Sequence, residues 1–140
     1  MSRPEISFRV MGFVVHNLRI RIMTFRSVFA TGLAFSLSAF FVFGAYGNFL
    51  LSPQNAASYA RWSYPDWFHY ITATLELAAA ALLINPPTRK TGAAIGALVM
   101  GAASLTTLFH TEYDHAISPL IVLIVSLLVL FLSGRTRTTN

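Results

Sequence analysis

Residues 27–48 form an unbroken uncharged run in which Phe35, Phe40, Phe41 and Phe43 recur among small and aliphatic side chains. A helix rises about 1.5 Å per residue, so about 20 apolar residues cross a hydrocarbon core, and this run predicts a first membrane span. Residues 52–64 follow with Pro53, Gln54, Asn55 and Arg61 and are too polar to span. A second apolar helix is expected over residues 65–85, with Pro65 in its first turn, Asp66 suited to a helix N-terminus and Pro86-Pro87 closing it. A third is expected over residues 91–110 and a fourth over 116–133, with Pro119 in the first turn of the last. The predicted fold class is all-α, a transmembrane four-helix bundle.

Basic residues orient it. The lead carries Arg3, Arg9, Arg19, Arg21 and Arg26, the loop after the second span Arg89 and Lys90, and the tail Arg135 and Arg137, against Arg61 alone on the other face. Basic loops stay cytoplasmic, so both termini are expected inside, in a bacterial inner membrane, with Glu112 and Asp114 outside. The division expected is a basic lead over 1–26, a membrane domain over 27–135 and a cytoplasmic tail over 136–140. Two readings compete for the lead: an amphipathic segment on the anionic leaflet, or an upstream start with translation beginning at Met11 or Met23. The aromatics Tyr59, Trp62, Tyr64, Trp67 and Tyr70 crowd before the second span, where amphipathic rings favour the headgroup zone.

Composition agrees with the pattern: 55% of the 140 residues are hydrophobic and 11% charged, outside the balance of a soluble domain. A net charge of +5 raises nucleic-acid binding, but the basic residues flank apolar runs instead of interleaving with aromatics on a polar face, so no nucleic-acid partner is expected. With no cysteine, the chain offers no disulfide, no thiolate-held iron–sulfur cluster and no dithiol exchange.

Glu76 stands ten positions past Asp66, about 15 Å into the second span. Central charges cost about 2.5–3.5 kcal/mol on insertion scales, so this carboxyl must face the interior, be neutral or have a partner. It is either a proton- or ligand-binding group or a hydrogen-bonding strut between helices. His69, Thr72, Ala73, Glu76 and Ala80 share one helical stripe, and His110 of the antiparallel third span matches His69 in depth. Glu76, His69, Thr72 and His110 are therefore the ligand- or proton-binding candidates, with the two histidines at the mouth of a polar track. Catalytic residues are not apparent. His110, Glu112, Asp114 and His115 could together approach a divalent metal, but their spacing fits no helical His pair, and no metal is assigned. Gly92, Gly96 and Ala93, Ala97, Gly101 repeat at intervals of four, a pattern for close helix packing within the chain or for a homodimer face.

The order Tyr64-Pro65-x-Trp67-Phe68-x-Tyr70, then Glu76, Pro86, a small-residue span from Gly92 with Met100 and Ala103, His110 and Pro119 resembles the DoxX-like family of small four-helix membrane proteins. The resemblance covers about residues 27–135. It implies a compact bundle and draws attention to Glu76 and His110. The family name comes from a subunit of a membrane thiosulfate:quinone oxidoreductase, and relatives act in redox-stress assemblies or as membrane chaperones and cargo receptors. The implied role is an accessory or subunit of a quinone-linked or redox-associated system, partnered by other membrane subunits. No cofactor is intrinsic, a quinone is the candidate, and a stand-alone enzyme is not expected. The other reading is a non-enzymatic carrier or chaperone for a small apolar ligand or a partner's transmembrane segment. The chain departs from the family in carrying Ala78 to Ala81 where a Gly often follows the glutamate.

Overall fold

The computed structural model describes residues 3–133, with side chains from Arg9 onward. The described residues are all-helical: α1 (Arg3–Phe49), α2 (Pro53–Arg61), α3 (Phe68–Ile84), α4 (Arg89–Phe109) and α5 (Tyr113–Leu132). The Arg9–Phe49 part of α1, α4 and α5 are each long and apolar enough to cross a membrane. α3 is apolar but has 17 residues, about 25 Å of rise.

The helix boundaries differ from the sequence reading. α4 starts at Arg89 and α5 at Tyr113, so Pro119 lies inside α5 and not in its first turn. The lead continues the helix of the first span: nothing after Pro4 breaks it, and α1 runs unbroken for 47 residues. Every residue from Arg9 to Phe29 is exposed, and the buried residues of α1 lie in its second half, at Ala30, Ala34, Leu37, Ser38, Phe41, Ala45 and Asn48. α3 begins at Phe68 and not at residue 65, because Pro65 to Trp67 form a turn closed by the Phe68 amide on the Pro65 carbonyl (2.9 Å). The polar stretch holds a short helix, α2. Ser52 caps it by accepting from the Asn55 amide (3.3 Å), and Pro53 opens it.

The packed part of α1 lies against α3, α3 against α4, α4 against α5, and α5 returns to α1. Phe41, Leu83 and Val129 are fully buried between them. Glycine sets how closely they approach. A Cβ on Gly92 would stand 2.7 Å from the Leu83 amide nitrogen and 2.9 Å from the Ala79 carbonyl oxygen of α3, and one on Gly96 would stand 2.6 Å from the Phe41 ring. Gly92, Ala93, Gly96 and Ala97 are all buried within the chain, so the small-residue repeat serves internal packing. The outer surface is apolar, with Phe43, Leu98, Phe109, Ile124 and Phe131 each more than 60% exposed, as lipid contact requires. Buried hydroxyls turn inward: Ser104 donates to the Met100 carbonyl (2.7 Å), Ser126 to Val122 (2.8 Å) and Ser38 across to Ala80 of α3 (2.9 Å).

At the end where α3 meets α4, Asn85 is extended before Pro86 and the helix stops as the sequence predicts. Arg89 is buried there. Its Nε donates to the Leu83 carbonyl (3.1 Å) and its Nη1 to the Thr31 hydroxyl of α1 (3.1 Å), while the Thr88 hydroxyl donates to the Leu82 carbonyl (2.9 Å). These donors satisfy the carbonyls that the two prolines leave without partners, and a cation suits a helix C-terminus.

Gly92→Ala should destabilise the protein by about 1–3 kcal/mol, because backbone of α3 stands where the methyl would go. Gly101→Ala should change stability little, since its nearest neighbour is Leu123 Cδ1 at 4.0 Å. Unfolding of both variants in mixed micelles would check the contrast. Equal stability would overturn the tight α3–α4 crossing.

Candidate functional site

The site begins with an absent side chain. At Gly44 a Cβ would stand 2.9 Å from Glu76 Oε1 and 3.2 Å from its Cδ, so glycine lets the carboxylate lie against the backbone of α1. One turn on, Asn48 Nδ2 donates to Glu76 Oε2 (2.8 Å). The Asn48 amide oxygen accepts in turn from the Tyr59 hydroxyl (2.9 Å) and from Asn55 Nδ2 (3.2 Å), both on α2. Two donors on that oxygen orient the amide, so its nitrogen must face the carboxylate. Glu76 is 96% shielded, being 4% exposed, and among the described residues nothing hydrogen-bonds its Oε1.

Glu76 and Asn48 lie in the wall of a cavity of about 740 Å³ bounded by α1, α2, α3, α4 and the start of α5. This volume suits a small ligand. Gly44 and Gly47 open its α1 side, Thr72 and Leu75 flank the carboxylate on α3, and Met100 and Ala103 face it from α4. Tyr59, Trp62, Tyr64 and Phe68 form an aromatic wall, in which Tyr64 stacks on Phe68 at 4.3 Å and its hydroxyl meets the Thr106 hydroxyl at 2.7 Å. Trp62 Nε1 is buried without a hydrogen-bond partner.

α2 covers this cavity without burying any residue of its own. Leu51 and Ser63 on either side of it take left-handed backbone (φ 45° and 55°), which costs a non-glycine residue about 1 kcal/mol each. Arg61 ties the helix down: its Nε donates to Glu112 Oε1 (3.0 Å) and its Nη2 to the Ser58 hydroxyl (3.1 Å). His115 Nδ1 approaches Glu112 Oε2 at 3.4 Å. The Arg61 guanidinium holds the Glu112 carboxyl below the usual carboxylate range. Burial pushes the Tyr59 hydroxyl up.

The sequence candidates separate in space. Glu76 and Thr72 line the cavity. His69 is buried beside it, its Nδ1 donating to the Asn48 backbone carbonyl (2.9 Å). His110 caps the end of α4, exposed, its ring 6.4 Å from that of Trp62 and outside the cavity lining. Glu112 and His115 approach each other, but Asp114 and His110 are exposed, and among the described residues no three His, Cys, Asp or Glu side chains are placed to hold a metal. Sequence reasoning missed Gly44, Asn48, Asn55 and Tyr59. Asn48 had looked like the mere end of the first span. Its signal was a polar side chain one turn past a glycine on the same face.

Residues 32–129, more than half of the chain, match the sequence model of the DoxX-like family. The chain belongs to the DoxX-like family. The matched region holds the packed part of α1 and every cavity residue named above, and it leaves out the exposed first half of α1. In this DoxX-like chain Tyr64 and Phe68 of the aromatic motif line the cavity while Trp67 and Tyr70 do not, and Glu76 of α3 faces Gly44. Searches among characterised proteins and solved structures give no match.

The latch on α2 follows a carboxyl whose folded value is depressed, so its contribution is present above the unfolded value and lost as pH falls through the folded one. Amide protection in α2, corrected for intrinsic exchange, should therefore drop as pH falls below the usual carboxylate range. Arg61→Ala should lower protection at neutral pH and remove the acid transition. Wild-type protection in that variant would show that the pair holds nothing.

Proposed function

We propose that this protein is a four-span membrane protein that binds a small, largely apolar molecule in the α1–α4 cavity, with the polar head of the ligand against Glu76. The observation that carries this is the carboxyl of a buried side chain in the wall of an otherwise mostly apolar chamber, with one oxygen held by Asn48 and the other accepting no hydrogen bond among the described residues. A purely structural strut would use both oxygens on protein donors. An oxygen left open to a largely apolar cavity calls for a ligand group or water to meet it. A non-enzymatic carrier or accessory protein fits this chamber better than a catalyst. The chain has no cysteine, and no nucleophile–base pair is among the lining side chains. The family resemblance suggests a quinone-linked setting, and a quinone in lipid extracts of the purified protein would support it.

The four spans proposed are the apolar second half of α1, α3, α4 and α5, in a bundle with both termini cytoplasmic in a bacterial inner membrane. The distribution of Lys and Arg supports this orientation. The 17 residues of α3 are compatible with a span because α1 and α4 shield it on two sides and the Pro65 to Trp67 turn extends it. The cavity and α2 then face outward.

Orientation is checked on a chain with no native cysteine. Lys90→Cys should resist an impermeant thiol reagent in intact cells, and Asp114→Cys should react, both positions being exposed. The reverse pattern would invert the proposal. For the site, Glu76→Ala should insert normally but lose, by at least about tenfold, whatever small molecule mass spectrometry finds with the wild-type protein. Undiminished recovery from the variant would remove Glu76 from the binding role.

A further inference from the structure

Resting on the ligand-binding reading above, we propose that the cavity is built for a lipophilic organic cation, an amine or quaternary ammonium carried on an apolar body.

Charge comes first. Glu76 is the central residue of α3, eight positions from Phe68 and eight from Ile84. Among the described residues no Lys or Arg lines the cavity, and its one imidazole, His115, approaches Glu112 at 3.4 Å. The two nearest guanidiniums by position are committed elsewhere: Arg61 to Glu112 and Ser58 above the cavity, Arg89 to Leu83 and Thr31 at the opposite end of α3. The carboxylate therefore receives from the protein one neutral amide donor, Asn48, on one oxygen. A bound cation would supply the missing countercharge in a medium where such attraction is strong.

The walls repeat the preference. Tyr59, Trp62 and Tyr64 have ring centroids 6.0–6.2 Å apart, with interplanar angles of 60–83°. Rings set so steeply form a corner, with Phe68, also in the lining, stacked on Tyr64. Phe40, Phe43 and Tyr46 of α1 stand at the open rim of the cavity, Phe43 and Tyr46 turning most of their surface outward. Ring faces attract cations, most strongly when desolvated, and give no such advantage to neutral molecules of equal shape. An anion would meet repulsion from both the carboxylate and the rings.

The test compares benzyltrimethylammonium with its neutral carbon isostere, neopentylbenzene, on the full chain in lipid nanodiscs, with decylubiquinone as a third probe. The cation should bind more tightly than the isostere. Glu76→Gln, which keeps shape and hydrogen bonding, should weaken the cation at least about tenfold and leave the isostere within about twofold. Phe68→Leu, which keeps an apolar wall but removes a ring, should weaken the cation about threefold to tenfold and stands as evidence even if the Gln variant fails to fold. Equal binding of cation and isostere, or cation binding indifferent to both substitutions, overturns the charge preference while the cavity reading survives. Binding of decylubiquinone alone has the same meaning. Binding of none of the three overturns the cavity reading itself.

Discussion

A carboxylate cannot stand bare in hydrocarbon, and most of what is unusual in this protein follows from giving Glu76 a protected place. The nearest helix must come close without a side chain in the way, which is the role of Gly44. A donor must then reach the carboxylate, and Asn48, one turn along, does so at 2.8 Å. An asparagine amide in the same apolar setting raises the same problem again, because its own oxygen needs donors. Tyr59 and Asn55 supply them, and both lie on α2. The short outer helix is thus coupled to the buried acid by two hydrogen-bonded steps, and His69 braces the same asparagine through its backbone carbonyl.

Packing and cavity divide the helices lengthwise. At the α3–α4 turn the helices touch backbone to backbone, since Gly92 leaves no room even for a methyl, and Phe41 fills the space that Gly96 opens. Toward the other end the glycines at 44 and 47 do the opposite: α1 offers no side chain at those two positions, and a chamber of about 740 Å³ remains. The four alanines from Ala78 lie beyond Glu76 toward the tightly packed end, with Ala79 and Ala80 buried in the core. Their methyl groups thus tighten the core without reaching the chamber.

The helical layout was legible because its signals are local. Pro86-Pro87 end α3 within a residue of the expected place, and the stripe through His69, Ala73, Glu76 and Ala80 is buried as its spacing requires. The orientation of that stripe toward α1 was not legible, since periodicity gives a face but not the neighbour it meets. Asn48 escaped notice for this reason: its partner lies 28 positions away on another helix. Depth matching placed His110 level with His69, but depth leaves rotation about the helix axis open, and His110 lies exposed at the end of α4. α2 was missed because nine small and polar residues carry no membrane signal, although Ser52-Pro53 is a sound local start for a helix. The lead read as separate because its charges differ from those of the following run, whereas helix continuity depends on breakers, and none intervenes after Pro4.

Strain and constraint are distributed to match. All three non-glycine residues with left-handed backbone among the described ones, Leu51, Ser63 and Thr111, lie at the α2 end, as do the single Arg–carboxylate pair and the unpartnered Trp62 nitrogen. At the opposite end Arg89 and Thr88 satisfy the carbonyls of α3, and the glycine contacts lock α3 to α4. Regions held by few buried apolar contacts open first, while densely packed ones open last. α2 has no buried residue and rests on hydrogen bonds and an exposed ion pair, which contributes little in water. The molecule therefore has a firm end and a yielding end, and Glu76 sits at the boundary between them. A ligand passing beneath α2 would disturb only the part that can yield, and it would meet the buried carboxylate at the depth where the protein stops giving way.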